Sequence, residues 1–261
     1  MKPNKFREMM NAGTPTMGTH IHSTWPSIIE VVGHTGVFDY VEFVEEYGPW
    51  DLYAFDDMGR TAELHQLGSM IKVEAESRGF IAQRAIGSGF ESVLFSDCRS
   101  AAEAQECVNI CRADTGDGNG TYGVATRRFT YMGYGGSAEY VNMINDVVVV
   151  LMIEKQSAVE QLDEILEIDG VEMIQWGPGD YSMNTGRMGQ HDSSEIKKVE
   201  REIIARALQA GVHPRAEIVS PDQAKYYLDL GVRHFCMETD IAILFKWLKE
   251  NGEELRRSID G

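Results

Sequence analysis

Short apolar and β-branched runs recur along the chain at residues 16–21, 38–44, 69–74, 92–96, 147–154, 171–176, 213–219 and 233–238. Each has the length and residue types of a buried strand. Between several of them lie amphipathic stretches of helical period, at 26–36, 101–112, 158–169, 194–211, 221–231 and 240–259. Several of these close on Gly just before the next strand, a helix stop signal. Eight strands alternating with helices predict an α/β protein, a (β/α)8 TIM barrel forming one domain over residues 1–261. The Gly-rich stretch 112–123 reads as a surface loop within that domain.

Barrel chemistry belongs at the C-terminal ends of the strands. That rule selects His20 and His22, Glu45 to Tyr47, Lys72, Glu74, Asp97, Glu154, Lys155, Asp180, Glu217 and Glu238 to Asp240. His20 and His22 would face the same way in a strand. They stand open to three readings: packing, acid/base chemistry, or binding of a substrate carboxylate or hydroxyl. His22 lies furthest along and is the preferred acid/base candidate. A His-x-His metal site of the amidohydrolase kind would also need histidines at the ends of strands five and six. Those ends carry Glu154 and the Gly177-Pro178-Gly179-Asp180 turn instead.

Charge narrows the partners. The chain has 24 Lys and Arg against 41 Asp and Glu, net −17, which disfavours nucleic acid and anionic membrane. A polar N-terminus and the lack of a long apolar run predict a cytoplasmic protein. Cys98, Cys107, Cys111 and Cys236 show no CxxC pairing and read as reduced thiols.

Glu154 follows seven apolar residues, where an unpartnered carboxylate is costly. With Asp180 at the next strand end it offers hard oxygen ligands for Mg²⁺ or Mn²⁺. On spacing alone, a loop carboxylate and a helix-capping aspartate describe the two equally well. Lys155 suggests a Schiff-base nucleophile, but neighbours in a strand point opposite ways and separate it from Glu154. Arg127 and Arg128 read either as ligands for a distal acid group of a substrate or as solvated loop residues.

Three motifs together carry a resemblance. "IEKQSAVEQL" (153–162), "GPGDYSMNTG" (177–186), and Gly18 followed by "HTGVFDY" (34–40) resemble the class II pyruvate aldolases of the HpcH/HpaI type. The similarity runs nearly end to end. It implies a metal-dependent carbon–carbon lyase acting on a 2-keto acid through a pyruvate enolate. Glu154 and Asp180 would bind Mg²⁺ or Mn²⁺, and the amides around Gly177, Pro178 and Gly179 would hold the substrate carboxylate; His20 and Arg127, from their own placement, are candidate further contacts. It also implies a homo-oligomer, hexamer or trimer, whose last helix packs on a neighbouring subunit.

The departures fall on the acid/base set. Where the family carries D-G-E-H-A-P after strand two, this chain reads "VEEYGP" (44–49). The family His is therefore Tyr47 and its Asp partner Val44. The strand-three Arg is Lys72, and the Gln two residues before the metal Glu is Met152. Tyr is a poor base near neutral pH, and Lys lacks the planar fork of Arg. Tyr47 and Lys72 hold the family's catalytic positions, and His22, read from its place at the strand end, is expected to join them in catalysis. Decarboxylation on the same enolate platform and non-catalytic keto-acid binding are the competing readings.

Overall fold

A computed structural model describes residues 3–125 and 131–261. Its strands are β1 (Thr16–Ile21), β2 (Tyr40–Val44), β3 (Gly68–Val73), β4 (Ser92–Phe95), β5 (Val148–Ile153), β6 (Met173–Trp176), β7 (His213–Ile218) and β8 (His234–Thr239). All pairings are parallel, and β8 returns to β1 to close the barrel. Helices α1 (Lys5–Asn11), α2 (Pro26–Thr35), α3 (Leu52–Leu64), α4 (Arg78–Ser88) and α5 (Ala101–Ile110) occupy the first half. The second half carries α6 (Ala138–Asn145), α7 (Gln156–Glu160), α8 (Leu162–Leu166), α9 (Pro178–Asn184), α10 (Ser194–Ala210), α11 (Ala224–Asp229) and α12 (Asp240–Asp260).

The expected strands are all present. The expected helix at 158–169 is instead two short ones, α7 and α8, and 221–231 begins as a 3₁₀ turn at Pro221–Gln223. Helix starts are chemically marked. Asp51, Ser100, Ser137 and Ser193 each accept an N–H from the first turn, satisfying donors that have no partner within the helix. Gly36, Gly89 and Gly211 end α2, α4 and α10 in the left-handed conformation that glycine adopts without strain. The loop at 112–123 is tied down at its far end, where buried Tyr122 donates its hydroxyl proton to the Gln83 carbonyl at 3.0 Å.

Strand alternation separates the two main core clusters, and a third, smaller one packs β7 and β8 against α10. Val41, Phe43, Ile71, Val93 and Leu151 belong to the layer between barrel and helices. Tyr40, Met70, Leu94, Val150 and Met173 form a separate cluster inside the barrel, closed at the bottom by Phe6 and Met10 of α1. Two residues further along, the inward positions turn polar: His20, Glu42, Lys72, Gln175 and Glu217. The barrel is therefore mainly apolar at its base, where buried Thr16 and His234 bond to each other, and charged towards the C-terminal strand ends, where the loops open.

Gly18 shows how tightly the base is packed. A Cβ there would lie 2.3 Å from the Tyr40 ring. That ring is pinned, because its hydroxyl donates to the Phe235 carbonyl at 2.7 Å and accepts from Arg215 Nε at 2.8 Å. Gly18→Ala should therefore destabilise the barrel by about 1–3 kcal/mol, the usual cost of overpacking. Thermal and urea unfolding followed by circular dichroism test this. An unchanged midpoint would mean that the Tyr40 ring has room to move.

Candidate active site

A cleft of about 490 Å³ opens over the strand ends, with Tyr47, Lys72, Glu154, Gly177, Asp180 and Glu217 among its walls. Glu154 follows β5 directly and is buried. Its Oε1 accepts the Asp97 N–H at 2.7 Å. Asp97 holds a left-handed backbone, φ 55°, uncommon for a residue with a side chain. Beside the carboxylate, Gly177 is obligatory, since a Cβ there would fall 2.5 Å from Glu154 Oε2. Burial pushes the Glu154 carboxyl up to about 7, against the Asp97 N–H and the charge of Lys72. The site thus holds a buried anion with too little positive charge around it.

Asp180 sits in the first turn of α9 and reaches the same cleft. Its Oδ1 accepts from Lys155 Nζ at 2.9 Å, and the same ammonium lies 2.5 Å from Asp97 Oδ1. Lys155 is absent from the cleft wall, in line with its opposite direction from Glu154. Burial disfavours its charge, but the hydrogen bonds it donates to Asp97 and Asp180 outweigh that and raise its pKa. A Schiff-base lysine requires the reverse shift.

Of the expected carboxylate-binding amides, the Gly177 N–H is already donated to the Ile153 carbonyl at 3.1 Å, and Pro178 has none. The donors in this turn reduce to Gly179 and Asp180. The two hard carboxylates and these amides fit a divalent cation and an anionic substrate group.

Two of the acid/base candidates, Tyr47 and Lys72, line the cleft; His22 is not among its lining residues but packs on Tyr47. The rings of His22 and Tyr47 meet edge to face, centroids 5.4 Å apart. His22 lies one residue past β1, and its backbone N–H is held by Asp240 Oδ1 at 3.0 Å, with the Ser23 N–H on Oδ2 at 3.0 Å. Burial lowers the His22 pKa, assisted by His20 and opposed by Asp240, so the ring is neutral near pH 7. Burial raises the Tyr47 phenol, partly offset by Lys72. Lys72 lies 5.3 Å from the Tyr47 ring and pairs with Glu46 Oε2 at 2.7 Å. Burial opposes its charge, but Glu46 raises its pKa, so it stays a cation.

The structure separates His20 from His22. The His20 ring is buried inside the barrel, 3.4 Å from Glu42 Oε1 and 3.5 Å from Glu217 Oε1. Arg127 and Arg128 lie outside the described residues. Strand-end selection did not find Glu42, Gln175 and Arg215. Buried Arg215 binds the Glu42 carboxylate, the Gln175 amide oxygen and Tyr40. The available signal was a charge in mid-strand, in "YVEFV" and "HPRAEI", where a closed barrel requires a partner inside.

Known proteins agree with this architecture. The profile of the HpcH/HpaI aldolase/citrate lyase family matches residues 18–231. A hydroxypyruvate/pyruvate aldolase of Agrobacterium fabrum is 26% identical over 241 residues, spanning 91% of this chain and 88% of that one. In structure, the HpcH/HpaI aldolase of Desulfitobacterium hafniense superposes with TM-score 0.86 at 20% identity, over 96% of both chains. The citrate synthase SbnG gives the same TM-score, 0.86, at 19% identity, over 98% of this chain and 99% of that one. At such identities the structural likeness speaks for the fold. The sequence match, running over most of the length, goes further: the chain belongs to the HpcH/HpaI aldolase/citrate lyase family.

Proposed function

We propose that this family member is a class II aldolase, a carbon–carbon lyase that cleaves or forms aldols of a 2-keto acid, with Glu154 and Asp180 holding Mg²⁺ or Mn²⁺. The observation that carries this is the buried, under-compensated Glu154 carboxylate facing the same cleft as Asp180. A divalent ion bound there supplies Lewis-acid charge for the substrate's keto oxygen. The Gly179 and Asp180 amides orient the substrate carboxylate. Lys72, fixed as a cation, adds positive charge on the Tyr47 side of the cleft.

His22 moves the proton. It is neutral near pH 7 and sits against Tyr47, at the position the family gives to histidine. Tyr47, held neutral, orients substrate or water through its hydroxyl. One observation favours decarboxylation on the same platform as a second reading: Tyr47 itself stays protonated, and release of CO₂ needs no base.

Glu154→Gln and Asp180→Asn should each weaken Mn²⁺ binding by more than the roughly 10–100-fold typical of losing an outer-shell partner. Calorimetry on folded protein measures it, and wild-type affinity in either variant would remove that residue from the site.

The rate of pyruvate α-proton exchange into D₂O, followed by NMR with Mn²⁺ present, assigns the base. His22→Ala should slow it by about 10²–10⁴-fold with metal affinity kept. Tyr47→Phe should cost roughly tenfold or less, the worth of one hydrogen bond. The reverse ranking would give the proton to Tyr47.

We further propose a homo-oligomer built through α12. None of the 21 residues of this helix is buried, yet Ile241, Leu244, Phe245, Leu248, Leu255 and Ile259 line one stripe of it. Light scattering at micromolar concentration should return a multiple of the 29.2 kDa chain mass, and Phe245→Asp with Leu248→Asp should reduce it. A monomeric wild type would overturn this assembly.

A further inference from the structure

Beneath the cleft floor lies a second group of ligating atoms that the proposed aldol chemistry does not use. His20 Nε2 and Glu42 Oε1 are buried, 3.4 Å apart, and neither makes a hydrogen bond of acceptable geometry. They face each other at ion-pair distance, which leaves both buried atoms short of a well-formed hydrogen bond. The third member is Cys236 on β8, fully buried, and one ligand atom from each of the three lies within 4.8 Å of the others. Ligand bonds of roughly 2.0–2.3 Å place tetrahedral neighbours about 3.3–3.7 Å apart, so small rotations would bring all three onto one ion.

The surroundings are those of a metal-ligating histidine and carboxylate. The far ring nitrogen of His20, Nδ1, faces Glu217 Oε1 at 3.5 Å, the carboxylate–histidine arrangement that fixes a ligating imidazole. Glu217 Oε2 is itself held by Gln175 Nε2 at 3.1 Å. Arg215 occupies Glu42 Oε2 and leaves Oε1 for the cluster. Glu217 is half-exposed on the cleft wall, so the cluster lies one side chain below solvent.

We propose that His20, Glu42 and Cys236 form a binding site for a thiophilic divalent ion of the Zn²⁺ kind, distinct from the all-oxygen pair Glu154 and Asp180. Imidazole and thiolate select such an ion over Mg²⁺. As the sulfur–metal bond forms, the Cys236 thiol proton leaves to solvent, together with any proton on His20 Nε2; nothing is oxidised or reduced. The charges then balance: the ion and Arg215 face the Cys236 thiolate, Glu42 and Glu217. Bound there, the ion ties β1, β2 and β8 together below the cleft and stabilises the folded chain by mass action.

Co²⁺ is the probe, because thiolate ligation gives it a near-ultraviolet charge-transfer band. Metal-free full-length protein should develop that band at one equivalent and melt at a higher temperature. The band should persist in the Glu154→Gln/Asp180→Asn double variant and vanish in Cys236→Ser. X-ray absorption at the cobalt edge of the wild-type protein provides a measurement independent of any variant's folding, with one sulfur neighbour at about 2.3 Å expected. No band, a band that survives Cys236→Ser, a band lost with the cleft carboxylates, or no sulfur neighbour would each overturn the proposal.

Discussion

Closing eight parallel strands leaves an interior that water cannot reach, so every charge placed there must find its partner within the barrel. Much of the upper half of this molecule follows from that constraint. Burial works against the Glu42 anion, but Arg215 and His20 hold its carboxyl well below the usual range. Arg215 spends its other donors on Gln175 and Tyr40. Removing any one member strands another, so the network fixes the relative positions of β1, β2, β6 and β7. Glu154 is where the compensation falls short. Its carboxyl stays near 7 because one amide and two lysines do not neutralise a carboxylate buried this deeply. That deficit at one strand end is what the proposed divalent cation would offset.

The strands were legible because burial on both faces turns a parallel strand into an apolar run, as in "VVVVLMIE". The helices were less so. Helices α3, "LYAFDDMGRTAEL", and α4, "RGFIAQRAIGS", each carry Gly, a poor helix former, and in α4 the amphipathic period is also weak. Glycine is tolerated at position 59 because the helix meets the Ser88 backbone there: a Cβ would lie 2.3 Å from its carbonyl oxygen. No sequence pattern reports that approach. The single-domain reading remains an expectation of the same alternation.

Within the site, what could be read was what strand order and alternation determine. β1 and β2 are neighbours, so His22 was expected near Tyr47, and the rings do meet. Alternation also put Lys155 off the cleft wall. It could not foresee that the lysine's four-carbon stem would bring its ammonium to Asp97 and Asp180, because that depends on loops after β4 and β6. The divergence of His20 from His22 has a similar cause. The strand ends at Ile21, so His22 follows the loop that Asp240 holds, while His20 keeps the strand's inward direction.

The altered acid/base wall makes physical sense as one rearrangement. Lys72 in place of Arg keeps the positive charge but gives up the second donor direction, and Glu46 anchors the single ammonium. Tyr47 in place of His keeps a hydrogen-bonding group but gives up titration near neutral pH. The His22 ring packs on Tyr47 from the neighbouring strand, and its position depends on two backbone features. Asp240 clamps the His22 and Ser23 amides, and Gly48 lets the His22 carbonyl approach, since a Cβ there would lie 2.7 Å from that oxygen. The cleft thus carries the Lys72 cation and the Tyr47 hydroxyl, with the His22 ring packed on that tyrosine, together with the carboxyl groups of Glu154 and Asp180.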